Sequence, residues 1–239
     1  MQFSVMTYNI NLGLESDLKT VADIIGEADV VAVQEIAVDW FLGDPGNMPQ
    51  LLARGSGLGH FRFASVLTVT PDSDPPIKRP APTADDRPGY GLAVFSRFPL
   101  GPWTRHRLPK RQDEQRCILS STVVTPKGPV SVLVTQLSQN DTDRGVQLPA
   151  LLRLAQTQAA PLIAMGDFGA DIDDPILRQL SPFLRNAAGD EPFPTYPASG
   201  PERALDHIYV SKEIEIVSAA APLPLMGSTH LPVMARVTL

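Results

Sequence analysis

The chain has 239 residues, 43% of them hydrophobic, enough to bury a sizeable core in one large domain or two small ones. Its net charge of −6 and pI near 5.2 come without the basic stripe that grips nucleic acid regardless of sequence, so nucleic acid is a less favoured partner than a small molecule. A lone cysteine, Cys117, excludes a disulfide framework within the chain, and no run of about 18 apolar residues is present to cross a membrane as a helix.

The opening stretch MQFSVMTYN lacks a basic region followed by an apolar core, which argues against a signal peptide and makes a cytoplasmic location the expectation. Phe3, Val5 and Met6 open a strand ending at Asn9. Ser16 is placed to cap a helix in which Leu18, Val21, Ala22 and Ile25 recur at helical spacing up to Gly26. Val30 to Val33 is a continuous apolar run, as in a strand covered on both faces, and it ends in Gln34 and Glu35. A weaker helical pattern lies within Asn47 to Arg54, and Phe61 to Val69 reads as a strand. Residues 71 to 89 carry six prolines among charges and read as a loop inside the domain. Strand pattern resumes at Tyr90 to Ser96. Ile118 to Val124 and Val130 to Leu137 form a hairpin around Pro126-Lys127-Gly128.

Val146, Leu148, Leu151, Leu152 and Ala155 mark the next helix. Pro161 to Met165 is a buried strand, followed by a short helix near Asp174 to Leu180. Leu205 to Val210 and Leu231 to Val237 close the chain as strands. Neither an internal repeat nor a composition break appears, so the reading is a single domain over 1–239, with Leu239 just beyond its last strand. Cys117, in the run Cys117-Ile118-Leu119, reads as a buried structural thiol.

Polar residues gather at the strand ends: Asn9, Glu35, Gln136, Asp167 and the pair Ser228 and His230, with Asp206 opening its strand after Leu205. One acid at a strand end is usually a cap or turn residue. Several together describe a site that can hold a hard cation through oxygen and leave a carboxylate to activate water.

The wording at these ends is specific. MTYNINLG, DVVAVQEI, GYGLAVFSRFPL, MGDFGAD, ALDHIYVS and STHLPVMARV follow one another along residues 3 to 238 and resemble the endonuclease/exonuclease/phosphatase (DNase I-like) superfamily. The resemblance implies an α/β fold, a four-layer sandwich of two packed mixed β-sheets flanked by helices, with the site at one end. It also implies a metal-dependent phosphoesterase. Asn9 matches the asparagine that helps hold the metal-bound phosphate, Glu35 the principal magnesium or manganese ligand, and Asp167 the aspartate that orients and deprotonates water. Asp206 and His230 match a pair in which the carboxylate charges the imidazole and the imidazolium stabilises the transition state.

Three positions depart from the family pattern. Gln136 stands where a histidine is usual, Gly169 where an asparagine donates its amide to the scissile phosphate, and Thr229 where a second carboxylate supports the metal. Leu92 is a softer departure, apolar where many members are polar. One lost amide donor of this kind is worth about 3 kcal/mol in the transition state. Asn140, Asp171 and Asp173 are nearby candidates to replace what is missing.

Three readings follow from the sequence. The first is a divergent metal-dependent hydrolase of a small phosphoester. The second is a catalytically impaired member that binds a ligand or partner through the same cleft. The third is an enzyme that uses the Asp206–His230 pair for acid–base chemistry on an uncharged substrate. His207 is expected to face away from the site, His60 and His106 to be surface or packing residues, and Arg97 and Arg116 to make structural ion pairs. An Arg203–Asp206 surface pair is the alternative use of Asp206.

Overall fold

The apolar runs pair into two sheets. The computed structural model describes residues 1–42, 46–70, 73–189, 193–223 and 227–239. In chain order the strands are β1 (Gln2–Asn9), β2 (Val30–Val38), β3 (His60–Val69), β4 (Lys78–Pro80), β5 (Gly89–Ser96), β6 (Leu100–Arg107), β7 (Cys117–Thr125), β8 (Gly128–Gln136), β9 (Leu162–Asp167), β10 (Arg185–Asn186), β11 (Asp206–Val210), β12 (Glu215–Pro222) and β13 (Val233–Thr238). The helices are α1 (Leu18–Ile25), α2 (Met48–Ser56) and α3 (Asp141–Thr157).

The first sheet runs β12-β13-β1-β2-β5-β3-β4 and the second β10-β11-β9-β8-β7-β6. Each is mixed: β1 lies parallel to β2 and β8 parallel to β9, while the other pairs are antiparallel. Their inner faces meet in one core that includes Val5, Val31, Val33 and Val94 from the first sheet and Leu119, Val132, Val134, Met165 and Ile208 from the second. The α1 residues Val21 and Ile25 and the α2 residues Met48 and Leu52 extend that core outside the first sheet. Leu148, Leu151 and Ala155 of α3 cover the outer face of the second, against Ile118, Leu133 and Ala164. The result is the expected four-layer α/β sandwich.

Several local expectations change. Asp17, not Ser16, caps α1, accepting from Thr20 N at 2.7 Å; the Ser16 hydroxyl donates instead to Gly227 O at 2.8 Å. Strand β2 continues past Glu35 to Val38. The loop 71–89 is partly strand: β4 adds to the outer edge of β3, where Pro80 is tolerated because an edge strand has a free side; residues 71 and 72 lie outside the described set. The segment near Asp174 to Leu180 is a short 3-10 turn at Leu177–Leu180. Strands β6, β10 and β12 have no strand pattern in the sequence reading. Among the described residues, no helix is long and apolar enough to cross a membrane.

Candidate active site

Strand direction brings the polar ends together. The parallel strands β1, β8 and β9 deliver Asn9, Gln136 and Asp167 at their carboxyl ends, where open α/β sheets usually form their crevice. Antiparallel neighbours present their beginnings at the same edge. Asp206 opens β11 directly opposite Asp167, and His230 lies just before β13, which runs antiparallel to β1.

Glu35 reaches the edge by a different device. Asn9 is paired with Gln34, so β2 passes the end of β1 at this level. The register with β5 slips between Gln34 and Ile36, and Glu35 sits in that bulge at φ +57°. A bulge re-aims the side chain, and a left-handed glutamate stores about 1–3 kcal/mol that surrounding structure must offset. Two amides hold the re-aimed carboxylate: Asn9 Nδ2 donates to Oε1 at 2.9 Å and Gln136 Nε2 to the same oxygen at 2.7 Å. Asn9 Nδ2 also reaches Asp167 Oδ2 at 3.2 Å, and Asn9 Oδ1 accepts from Asn11 N at 3.1 Å. The Gln136–Glu35 and Asn9–Asp167 bonds both cross from one sheet to the other and fasten this end of the sandwich.

Asp206 and His230 form a buried pair, with Nδ1 and Oδ2 at 2.8 Å. Burial alone would depress the imidazole. The charge and hydrogen bond of Asp206 outweigh it, helped by Asp167 and Glu35, and hold His230 up at about 9. It is a cation at neutral pH. Thr195 Oγ1 donates to the same Asp206 oxygen at 2.7 Å, and Thr195 O accepts from Leu231 N at 2.8 Å, so one residue fixes both partners. Asp206 Oδ1 is buried and has no partner among the described residues. Tyr196 packs its ring on the imidazole at a centroid distance of 4.8 Å. Ser228 Oγ donates to Asn9 O at 2.8 Å and ties the His230 segment to β1. Burial and the neighbouring Asp206 charge push the Asp167 carboxyl up to about 6, against the lowering by His230 and the Gly169 N–H.

The substituted positions behave differently from one another. Gln136 is a working part, since it holds Glu35. Thr229 is half-buried and contributes its carbonyl to Ala198 N at 2.7 Å. Gly169 opens no space. It sits at φ +66°, donates its N–H to Asp167 Oδ1 at 2.9 Å, and a Cβ there would fall 2.7 Å from Ser138 O. The missing asparagine side chain therefore leaves no room here: the backbone of residues 138–139 fills it. Two of the three candidate replacements are otherwise occupied. Asn140 caps α3, accepting from Thr142 N and Asp143 N, and Asp171 accepts from Ala204 N at 2.6 Å and pairs with Arg203 at 3.5 Å. Asp173 is exposed and lines a groove with Ile172 and Arg178. Arg203 thus serves Asp171 and leaves Asp206 to His230.

His207 faces away as expected; its Nε2 donates to Ala170 O at 2.9 Å, and burial lowers its pKa. His106 bonds Ser120 Oγ at 2.8 Å, His60 is exposed, and Arg97 pairs with Asp29 at 2.9 Å. Leu92 is in the core, paired with Gln34. Cys117 is buried, and burial pushes its thiol up to about 12. Thr195 and Tyr196 were invisible to sequence reasoning, because the Pro-rich stretch around them has no periodicity.

Asp167, Asp206 and His230 offer ligand atoms within 4.8 Å of one another. His230 spends Nδ1 on Asp206 and is cationic, so this trio reads as an acid–base array rather than a cation cage. The donor set fits a hard cation at Glu35, which is half-buried, its Oε1 taken by the two amides and the Tyr90 hydroxyl also close to its carboxylate. Glu35, Asp167 and Asp206 carry three negative charges beside the single cation His230, with Arg116 paired to Glu114, an excess that a divalent ion would offset. Magnesium and manganese accept such sites, keeping waters and one or two carboxylates.

The sequence profile of the Endonuclease/Exonuclease/phosphatase family matches residues 6–230. The chain belongs to this family. Solved structures agree on the fold. An endonuclease/exonuclease/phosphatase from Beutenbergia cavernae is 23% identical, with a TM-score of 0.78 over 100% of this chain and 72% of its own. The human Nocturnin catalytic domain with bound sulfate is 20% identical, with a TM-score of 0.67 over 99% and 94%. A mannosyl-6-phosphatase from Bacteroides thetaiotaomicron is 15% identical, with a TM-score of 0.72 over 99% and 100%. No curated protein matches the sequence.

Proposed function

We propose that the protein is a metal-dependent phosphoric ester hydrolase acting on a small phosphoester. The observation that carries this reading is the convergence, from strands of both sheets, of the Glu35 carboxylate, the Asp167 carboxylate and the Asp206–His230 pair at one edge. Family membership and the net acidic chain support an ester hydrolase that favours small substrates over long nucleic acid.

The chain's own groups divide the chemistry. Asp167, with Oδ1 fixed by Gly169 N, accepts the proton of the attacking water and aims its oxygen at phosphorus. Asn9 fixes the Asp167 and Glu35 carboxylates against each other. Asp206 and Thr195 keep the imidazolium of His230 oriented, and it stabilises the charge that builds on the phosphoryl oxygens. Glu35 would hold Mg2+ or Mn2+, which supplies Lewis-acid stabilisation to the phosphoryl group when bound.

Base and electrophile need opposite protonation states. Activity rises as Asp167 ionises near pH 6 and falls as His230 loses its proton near pH 9. Hydrolysis of bis-(p-nitrophenyl) phosphate and p-nitrophenyl phosphate, followed with Mg2+ or Mn2+ between pH 5 and 10, checks this. The expected outcome is a bell-shaped rate, abolished in Glu35→Ala and reduced about a hundredfold or more in His230→Ala. Absence of metal-stimulated turnover of either ester by the folded protein sinks the reading.

A further inference from the structure

Several arginines that pack against the sheets are occupied. Arg144 is buried and donates from Nη1 to the carbonyls of Ser138 at 3.2 Å, Gln139 at 2.9 Å and Gly169 at 3.2 Å, while Nη2 pairs with Asp141 and, at 3.2 Å, with Asp174. Arg105 holds Ser65 O at 2.6 Å and Pro82 O at 3.0 Å, Arg107 holds Ala81 O and Pro82 O, and Arg62 holds Leu100 O at 2.7 Å. Arg116 differs. Its side chain is 14% exposed, yet among the described residues it makes no hydrogen bond. Its one ion pair runs from Nη2 to Glu114 at 3.2 Å, and its Nε, like that of Arg144, is buried without a partner; unlike Arg144, it has no carbonyls on its other nitrogens among the described residues. A guanidinium so far removed from water, with most of its donors unmatched, calls for an anion.

Its place makes the anion's site specific. Arg116 immediately precedes β7, the neighbour of β8, which ends in Gln136. Its backbone is fixed, with Arg116 O accepting from Leu108 N at 2.9 Å and from Gln115 Nε2 at 2.8 Å. Burial works against the Arg116 charge, but Glu114, Tyr90, Glu35 and Asp167 favour it and hold it above its ordinary value. Glu35 and Asp167 also raise His230. The β7–β8 register, with Ile118 opposite Thr135, puts Arg116 at the same sheet end as Gln136, which holds Glu35. His230 engages Asp206 through Nδ1, and its Nε2 has no partner among the described residues.

We propose that Arg116 and His230 form two sides of an anion-binding subsite that takes the phosphoryl oxygens of a phosphoester, with Arg116 supplying the contact that position 169 cannot. This deepens the hydrolase reading and rests on it. A guanidinium fork matches two phosphoryl oxygens at once. Glu114 is the internal competitor for that fork, and its other oxygen lies 4.0 Å from Lys78 Nζ. Because the surrounding carboxylates are in excess, phosphate binds with a divalent cation and poorly without one.

Inorganic phosphate is the probe, titrated calorimetrically with and without Mg2+ into the wild type, Arg116→Gln and Glu114→Gln, with ester hydrolysis followed in parallel. Arg116→Gln is expected to weaken phosphate at least tenfold and to raise KM for the ester similarly. Glu114→Gln frees the fork and is expected to tighten phosphate several-fold. A wild type that binds no phosphate, or a folded Arg116→Gln that binds it as well as the wild type, overturns the subsite. Should Arg116→Gln fail to fold, Glu114→Gln decides: unchanged phosphate affinity with lower stability marks a merely structural ion pair. Arg116-dependent phosphate binding without ester turnover leaves the subsite standing and removes the hydrolase reading; turnover indifferent to Arg116 does the reverse.

Discussion

At residue 169, the absence of a side chain is itself a structural requirement. Gly169 has to turn the chain at φ +66° directly after Asp167, donate its N–H to that carboxylate at 2.9 Å, and let the carbonyl of Ser138 approach. An asparagine tolerates the dihedral but not the neighbour, because its Cβ would lie 2.7 Å from Ser138 O, a backbone atom held in place by Arg144 at 3.2 Å. Restoring the family's residue is therefore not a repair. Gly169→Asn is expected to cost about 1–3 kcal/mol in urea unfolding, with no gain in ester hydrolysis. Gly169→Ala carries the same Cβ and should lose a similar amount, which separates the steric effect from the amide. A faster Gly169→Asn enzyme of unaltered stability would show that residues 138–139 yield readily and that the old clamp still has its place.

Among the elements, α3 does more than cover a sheet. Its first turn buries Asp143, whose carboxylate accepts from the N–H groups of Arg111 at 2.6 Å, Gln112 at 2.9 Å and Asp113 at 3.1 Å. Asp113 in turn accepts from Ser138 Oγ, so α3, the segment carrying Glu114 and Arg116, and the end of β8 are tied together. Asp143→Ala strands three amides and is expected to destabilise the protein by on the order of 3 kcal/mol. Hydrogen exchange should quicken at residues 111–113 well before the amides of β8 and β9 respond; equal protection in the variant would refute the clamp. None of this was legible in the sequence, where Asp143 is one more acid at a helix start. Strands β1, β2, β8 and β9 were legible because they are covered on both faces and so write continuous apolar runs. Their polar ends were legible for the same reason: Asn9, Asp167 and Gln136 stand where an apolar run stops. The edge strands β6 and β12 were not, since a half-exposed strand such as Leu100–Arg107 can carry Gly, Pro, two arginines and a histidine without losing its pairing. The bulge at Glu35 has no sequence signature either, because its positive φ is imposed by the pairing of β2 with β5 and by the amides that hold the carboxylate.

Across the whole molecule, assembling the site opposes stability. Asp167 is buried, faces Asp206 across the β9–β11 pairing, and has its pKa pushed up from 3.8 to about 6. A carboxyl with a raised folded-state pKa stabilises the protein fully below its unfolded value and loses that contribution as pH rises through the folded value. Above pH 6 the fold therefore contains an ionised carboxylate that burial and Asp206 both disfavour, an effect of at most about 3 kcal/mol. His230 has the same sign at higher pH: its stabilisation is complete below 6.5 and disappears as pH passes about 9. Asp167→Asn removes the first of these two losses. It also gives up one acceptor, because its single carbonyl oxygen cannot serve both Gly169 N–H and Asn9 Nδ2, which returns about 1 kcal/mol. The net expectation at pH 8 is a gain of about 1–2 kcal/mol, or roughly 3–6 °C in Tm for a chain of this size, together with loss of ester hydrolysis. Calorimetry across pH tests the cause as well as the size. The advantage should shrink to nothing by pH 4, where the wild-type carboxyl is protonated and its repulsion with Asp206 is gone, and the alkaline loss of stability should begin at lower pH, because Asp167 no longer helps to hold the proton on His230. An Asp167→Asn variant less stable than the wild type at pH 8 would mean that the hydrogen bonds to this carboxylate outweigh its burial, and that the site is a stabilising feature of the fold.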